Sequence, residues 1–313
     1  MISAFFEKRL NIPPDFQIKP LSAKTKSELI ISNITINKLD VIDIEKIWWY
    51  KKIEALYNQG VKKGFLKNVI IHGSYGDLTF TNYSDLDLTL YIDEKVFQNN
   101  DLMSSFSNWV ENNFLTFMLS VDPLQHHGPF YLWDSLASNY FEDILPIETY
   151  HRSWGLKEIE INFKHFNSNL LLTRTKALSL TTSESLLNHS KFFRFGFDMY
   201  QMKRYLSNLM LIPAFYYTDI GHPMHKADSF ELFYKEFGSL ADPIKEASEI
   251  RKNWPETPLL MRELILRSRK LPLGSKLIHV SRMGYTNKSI KENINEKVIP
   301  GIFPLYEELK MRL

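Results

Sequence analysis

The chain has 313 residues, 44% of them apolar and 14% aromatic, and a formal charge of only +2, a globular composition that excludes a polycation or an acidic tail protein. Cysteine is missing from it, which excludes disulfide scaffolds, zinc–cysteine sites, iron–sulfur clusters and thiolate catalysis, and leaves oxygen or imidazole to hold any metal. No apolar run reaches the ~18–20 residues of a bilayer span, and Glu7, Lys8 and Arg9 come too early for a signal segment, so no membrane contact and a cytoplasmic address are expected.

The length suggests about two domains. The first forty residues are mixed in pattern, with Pro13, Pro14 and Pro20 breaking any long helix. From Asp43 to about Gly60 the spacing of Ile44, Ile47, Trp48, Ile53, Leu56 and Tyr57 predicts a helix, with Gly60 as its C-cap. Val69–Ile71 then reads as a short strand ending in His72, Gly73 and Ser74, and Leu86–Ile92 as a second strand with alternating pattern. Residues 97–113 read as a helix, 114–121 as a strand, Pro129–Trp133 as its return, and Ile159–Phe163 as one more strand. Beyond about residue 175 the segments 184–212 and 228–252 carry helical periodicity. The expected fold is α+β: a sheet flanked by helices over residues 1–170, then a mostly helical domain over 171–313.

The stretch Val69–Ile92 carries the chemistry. Asp85 and Asp87 are two apart on an extended chain, so both carboxylates leave one face, about 6–7 Å apart at Cα. Two such carboxylates repel unless a cation neutralises them, and oxygen-only ligands suit Mg²⁺ or Mn²⁺. Gly73, directly after a strand, lets backbone amides approach an anion closely, and Ser74 adds a hydroxyl donor. A helix turn starting there would add free amides. The bland alternative is an ordinary turn beside a solvated strand face.

This segment resembles the signature of the polymerase β-type nucleotidyltransferase superfamily: an apolar strand, Gly-Ser, about ten residues, then Asp-apolar-Asp-apolar, here Ser84-Asp85-Leu86-Asp87-Leu88. The flanking elements are similar in layout to its antibiotic-modifying branch. The resemblance implies transfer of a nucleoside monophosphate from an NTP, ATP first among them, to a hydroxyl of a small-molecule acceptor, with release of pyrophosphate. It implies that Gly73 and Ser74 hold the phosphates, that Asp85 and Asp87 hold the metals, and that the helical domain covers the nucleotide and acceptor. Many members carry Arg-Gly after the Gly-Ser, where this chain has Tyr75 and Gly76.

The resemblance also asks for a third carboxylate that binds metal or acts on the acceptor. Asp122, 35 residues after Asp87 and expected to close the strand 114–121, is preferred to Glu160 in the strand Ile159–Phe163. Beside Asp122 lie His126 and His127, read either as contacts to acceptor or phosphate, or as turn residues packing on Phe130 or Tyr131. In the helical part Lys203 and Lys226 are the nominees for contact with the triphosphate, against the simpler reading of a solvated face. The aromatics around Lys203 (Phe192, Phe193, Phe195, Phe197, Tyr200 and Tyr205) are read as core. Between Arg251 and Lys291 ten basic residues face two acidic ones, which suits an RNA backbone or offsets acidic surface elsewhere. RNA 3′ ends, protein side chains and a catalytically silent nucleotide-binding module are therefore the alternatives.

Overall fold

The computed structural model describes residues 29–39, 48–125, 127–140, 145–166, 177–193, 196–268 and 285–313. They fall into two units. An α+β unit runs to Phe80 and resumes over Ser84–Phe166, and a helical unit takes Thr81–Tyr83 and the chain from Asn167 onward.

In chain order the α+β unit contains β1 (Leu29–Ile36), α1 (Trp48–Lys62), β2 (Leu66–His72), a single turn α2 (Gly73–Gly76), β3 (Asp87–Ile92) and α3 (Asn100–Val110). A π-helical turn, Glu111–Leu115, leads into α4 (Thr116–Val121). Then come β4 (Phe130–Leu132), the short helices α5 (Asp134–Ala137) and α6 (Glu148–His151), β5 (Trp154–Gly155) and β6 (Ile159–Phe166).

The main sheet has the order β4-β3-β2-β5, and β1 and β6 form a separate antiparallel pair. Strand β2 lies between two neighbours, and Val69, Ile70 and Ile71 are fully buried. A strand covered on both faces reads as a continuous apolar run, which is why Val69–Ile71 shows no alternation. Each such side chain stabilises the fold by roughly 1.5–3 kcal/mol through burial. In β3 the alternation seen in the sequence misleads in part, because Thr89 and Tyr91 are buried along with Leu88 and Leu90. On α1, Trp49, Ile53 and Leu56 form the buried stripe. Its turn into β2 is made by Gly64 at φ +70°, four residues past the glycine expected to cap it. Ile44 and Ile47 lie outside the described residues.

Two expectations are corrected. Residues 114–121 are helical, not a strand: Phe114, Phe117 and Met118 are buried at helical spacing. A short apolar run cannot be assigned by periodicity alone, and here the packing stripe decides. Consequently Phe130–Leu132 is no hairpin return. It pairs parallel to β3, with Thr89 opposite Phe130, since a helical crossover of this length brings the chain back to the same end of the sheet. Asp122 therefore caps a helix rather than closing a strand.

Asn68 ties β2 to the chain beyond β5. Fully buried, it accepts through Oδ1 from Leu156 N (3.2 Å) and Lys157 N (3.4 Å) and donates through Nδ2 to Lys157 O (2.8 Å).

The helical unit comprises α7 (Leu178–Phe193), α8 (Met199–Leu209), α9 (Ile212–Asp219), α10 (Lys226–Phe237), α11 (Asp242–Lys252), α12 (Leu259–Ser268), α13 (Lys288–Asn293) and α14 (Ile299–Arg312). Asp198 and Gln201 close a capping box at the start of α8, the reciprocal arrangement that satisfies two free backbone donors. Phe193, Phe197 and Tyr205 pack in this unit's core, with the first two ring centroids 4.4 Å apart. Phe195 lies outside the described residues.

The basic run is balanced in part where it is described. Lys252 pairs with Glu249, Arg267 with Glu263 and Lys288 with Glu292. Glu249 and Glu292 lie just outside the window that looked so basic in the sequence. Arg269, Lys270, Lys276 and Arg282 lie outside the described residues. Among the described residues no helix is long and apolar enough to cross a membrane.

Candidate functional site

The antiparallel register of β2 and β3 sets His72 opposite Asp87. Gly73 and Ser74 therefore leave the sheet at the edge where Asp85 and Asp87 enter it. Because β4 runs parallel to β3, the residues just before Phe130 reach that edge as well. Three loops meet there: the β2–α2 turn, the lead into β3, and the segment between α4 and β4.

Gly73 has φ +63°, and a Cβ at this position would stand 2.4 Å from Asp87 Oδ2. Only glycine fits both the left-handed backbone and the close carboxylate. Tyr75, where the resembling family often has arginine, points into the core. Its ring stacks on Phe80 at 4.5 Å and meets Trp49 edge-on at 5.3 Å. This position is an apolar anchor for the turn.

Asp87 is held from its other side by His127, whose Nε2 lies 3.0 Å from Asp87 Oδ1. His127 Nδ1 donates to Gly128 O at 2.8 Å, so both ring nitrogens act as donors, which is the pattern of an imidazolium. Burial opposes that charge, but the hydrogen bond and charge of Asp87, with the charge of Asp85, outweigh it and push the His127 pKa up to about 9. For Asp87 burial likewise acts to raise the pKa, and the bond and charge of His127, aided by His72, hold it below the usual carboxylate value despite Asp85. By linkage this pair contributes stability in full between the unfolded carboxylate value of about 3.9 and the unfolded histidine value of about 6.5, loses it as the pH rises through the folded histidine value, and loses it again as the pH falls through the folded carboxylate value.

Both readings of His127 hold in part, since its ring also packs on Phe130 at 5.3 Å. Phe130 meets His72 at 5.4 Å, and His72 Nε2 lies 3.1 Å from Thr89 Oγ1. His126 lies outside the described residues.

Gln125 is a site-building residue that sequence reasoning missed. Buried, it accepts from Leu86 N through Oε1 at 2.9 Å and donates to Leu86 O through Nε2 at 3.4 Å. A side-chain amide thus supplies the pairing that a neighbouring strand would give between the two aspartates. The signal was slight: one glutamine three residues after Asp122.

Asp122 is buried, and its Oδ1 accepts from Leu124 N at 3.0 Å in the turn that ends α4. Glu160 lies on β6 opposite Thr35, on the exposed face of the two-stranded sheet and not in the sheet of β3. Among the described residues no three His, Asp or Glu side chains are arranged to hold a metal.

Lys203 and Lys226 belong to the helical unit. Lys203 is fully buried rather than on a solvated face, with Nζ 5.3 Å from the centroid of the Tyr83 ring. The Tyr83 hydroxyl donates to Lys203 O at 2.7 Å. Lys226 is half-buried and opens α10 behind the N-cap His225.

Comparison of the chain with protein-family models, with curated proteins and with solved structures finds no match.

Proposed function

We propose that this protein is a metal-dependent nucleotidyltransferase that moves a nucleoside monophosphate from an NTP to a hydroxyl of a small-molecule acceptor. The observation that carries the reading is the approach of the Gly73 backbone to the Asp87 carboxylate. It sets the amides and hydroxyl of a Gly-Ser turn, groups that suit a phosphate chain, directly beside paired acids. A Cβ at Gly73 would push the Asp87 carboxylate away from that turn.

The donor set fits Mg²⁺ or Mn²⁺. Asp85 and Asp87 offer hard oxygens, and an ion whose shell is completed by substrate phosphates and water needs only one or two carboxylates. Bound there, such an ion supplies neutralisation of developing phosphate charge and activation of the attacking oxygen. The chain's own residues do the rest. Gly73 admits the triphosphate close to the backbone, the Ser74 hydroxyl donates to a phosphate oxygen, and Leu86 and Leu88, buried in the core, fix the face from which the acids project. Gln125 locks the segment between them. In the transfer, the acceptor oxygen bonds to the α-phosphorus as the bond from that phosphorus to the bridging oxygen breaks. The electron pair leaves with pyrophosphate, and the acceptor's proton passes to water.

The test is incubation with each labelled NTP, Mg²⁺ or Mn²⁺, and three acceptor pools: small metabolites, total RNA and lysate protein. Label is expected on a small molecule, and Asp85→Asn or Asp87→Asn should each remove nearly all of it from a folded protein. Label in RNA or protein would replace the acceptor class. No transfer to any pool, or transfer that survives both substitutions, refutes the reading.

A further inference from the structure

Three residues just ahead of the paired acids, Thr81–Tyr83, pack in the helical unit, while Phe80 before them and Ser84 after them belong to the α+β unit. Tyr83 is the buried member that holds this short segment in place. Its hydroxyl donates to Lys203 O and accepts from Ser207 Oγ, each at 2.7 Å. Residues 203 and 207 are four apart, so one turn of α8 closes on it. The Tyr83 ring meets Trp254 edge-on at 5.0 Å, and Lys203 Nζ and the Arg251 guanidinium lie over it at 5.3 and 5.9 Å. Asn82 Nδ2 adds a bond to Trp254 O at 3.4 Å.

Asp85 follows two residues later, so its Cα stands no more than about 7 Å from that of Tyr83. On the far side of Asp85, Leu86 is clasped by Gln125 within the α+β unit. Ser84 and Asp85 are therefore the two residues between a fixed point in one unit and a fixed point in the other. Asp87 differs: it already lies in the ladder of β3, opposite His72. The two acids of the pair are placed by different parts of the chain.

We infer that Tyr83 is a positioning residue for Asp85: its hydroxyl bonds to α8 make the place of that carboxylate, and with it metal binding, depend on the helical unit. The inference rests on the metal-binding reading above and adds a regulation of that same site. Tyr83 acts through two residues of chain and needs no contact with the metal. Coupling between two sites is reciprocal. A metal held by Asp85 must in turn steady the turn of α8 that holds Tyr83.

The experiment is Mn²⁺ binding to the full chain, read by the loss of the free-ion electron spin resonance signal, with and without a non-hydrolysable ATP analogue. Tyr83→Phe keeps the ring and removes the hydroxyl bonds. It is expected to bind Mn²⁺ about three- to tenfold more weakly than the unsubstituted protein, the scale of one or two hydrogen bonds. Tyr205→Phe removes a hydroxyl from the same helix that has no hydrogen-bond partner among the described residues, and should bind Mn²⁺ as the unsubstituted protein does. A second measurement needs no variant: saturating Mn²⁺ should slow amide hydrogen exchange over residues 203–207 about threefold or more, and leave α10, which makes none of these contacts, unchanged. Undiminished Mn²⁺ binding by Tyr83→Phe, an equal loss in Tyr205→Phe, or exchange in α8 that ignores the metal overturns the inference and leaves the metal reading standing. Failure of the unsubstituted protein to bind Mn²⁺ even with the ATP analogue overturns the metal reading, and this inference with it.

Discussion

Replacing Gly73 with alanine probes the feature on which the site depends, through two separable effects. The first is the backbone: φ at +63° is left-handed, and a residue with a Cβ pays about 1–2 kcal/mol to adopt it. The second is contact, since the new Cβ would stand 2.4 Å from Asp87 Oδ2 and 3.3 Å from its Cγ. The carboxylate can turn away only by straining its bond to His127, a largely buried hydrogen bond to a carboxylate worth about 1–2 kcal/mol. Gly73→Ala should therefore cost about 2–4 kcal/mol in all, within the range of a substitution at a special backbone position. Asp87→Ala removes the oxygen that clashes, so in that background the cost should fall to the backbone part, about 1–2 kcal/mol. The assay is equilibrium unfolding in urea of the four proteins of this cycle, with linear extrapolation and a check that the slopes agree. A cost below about 0.5 kcal/mol in both backgrounds would show that the backbone is not left-handed here. Equal costs in the two backgrounds would show that the Asp87 carboxylate is not against the turn.

Three further outcomes are expected. Asn68→Ala should cost about 1–3 kcal/mol by urea unfolding, because the Lys157 N–H and C=O lose this partner together while the Leu156 N–H keeps Val69 O; a cost under about 0.5 kcal/mol would mean that water replaces it. Gln125→Ala should cost about 1–3 kcal/mol and speed amide exchange at Leu86, whereas unchanged exchange there would sink the role assigned to this side chain. Burial acts to raise the Asp134 pKa, but hydrogen bonds from Lys67 and Tyr91 and the charge of Lys67 hold it below the usual carboxylate value. Its contribution should then be complete above the unfolded value of about 3.9 and fade as the pH falls below it, at no more than about 1 kcal/mol for so exposed a pair. The difference in melting temperature between the unsubstituted protein and Asp134→Asn should accordingly shrink between pH 6 and pH 3, and a constant difference would contradict it.

Local chemistry alone determined a good part of this protein. The apolar run Val69–Ile71, the Gly-Ser turn and the presence of a strand over Asp87–Ile92 are legible because strand pairing and left-handed turns demand those residue types wherever they occur. The change from mixed to helical periodicity past residue 175 is legible for the same reason. Tertiary structure decided the rest. Phe114–Val121 satisfies strand and helix equally well in sequence, and only the stripe formed by Phe114, Phe117 and Met118 makes it a helix. Strand β1 was hidden because its stability comes from β6, more than a hundred residues away. The partnership of His127 with Asp87 and the clasp of Gln125 on Leu86 both follow from the parallel register of β4 on β3. No spacing rule within the chain encodes that register. The acids are written in one short motif, but what holds them arrives from elsewhere in the chain, because a buried charge or amide takes whatever partner the packed fold brings within hydrogen-bonding distance.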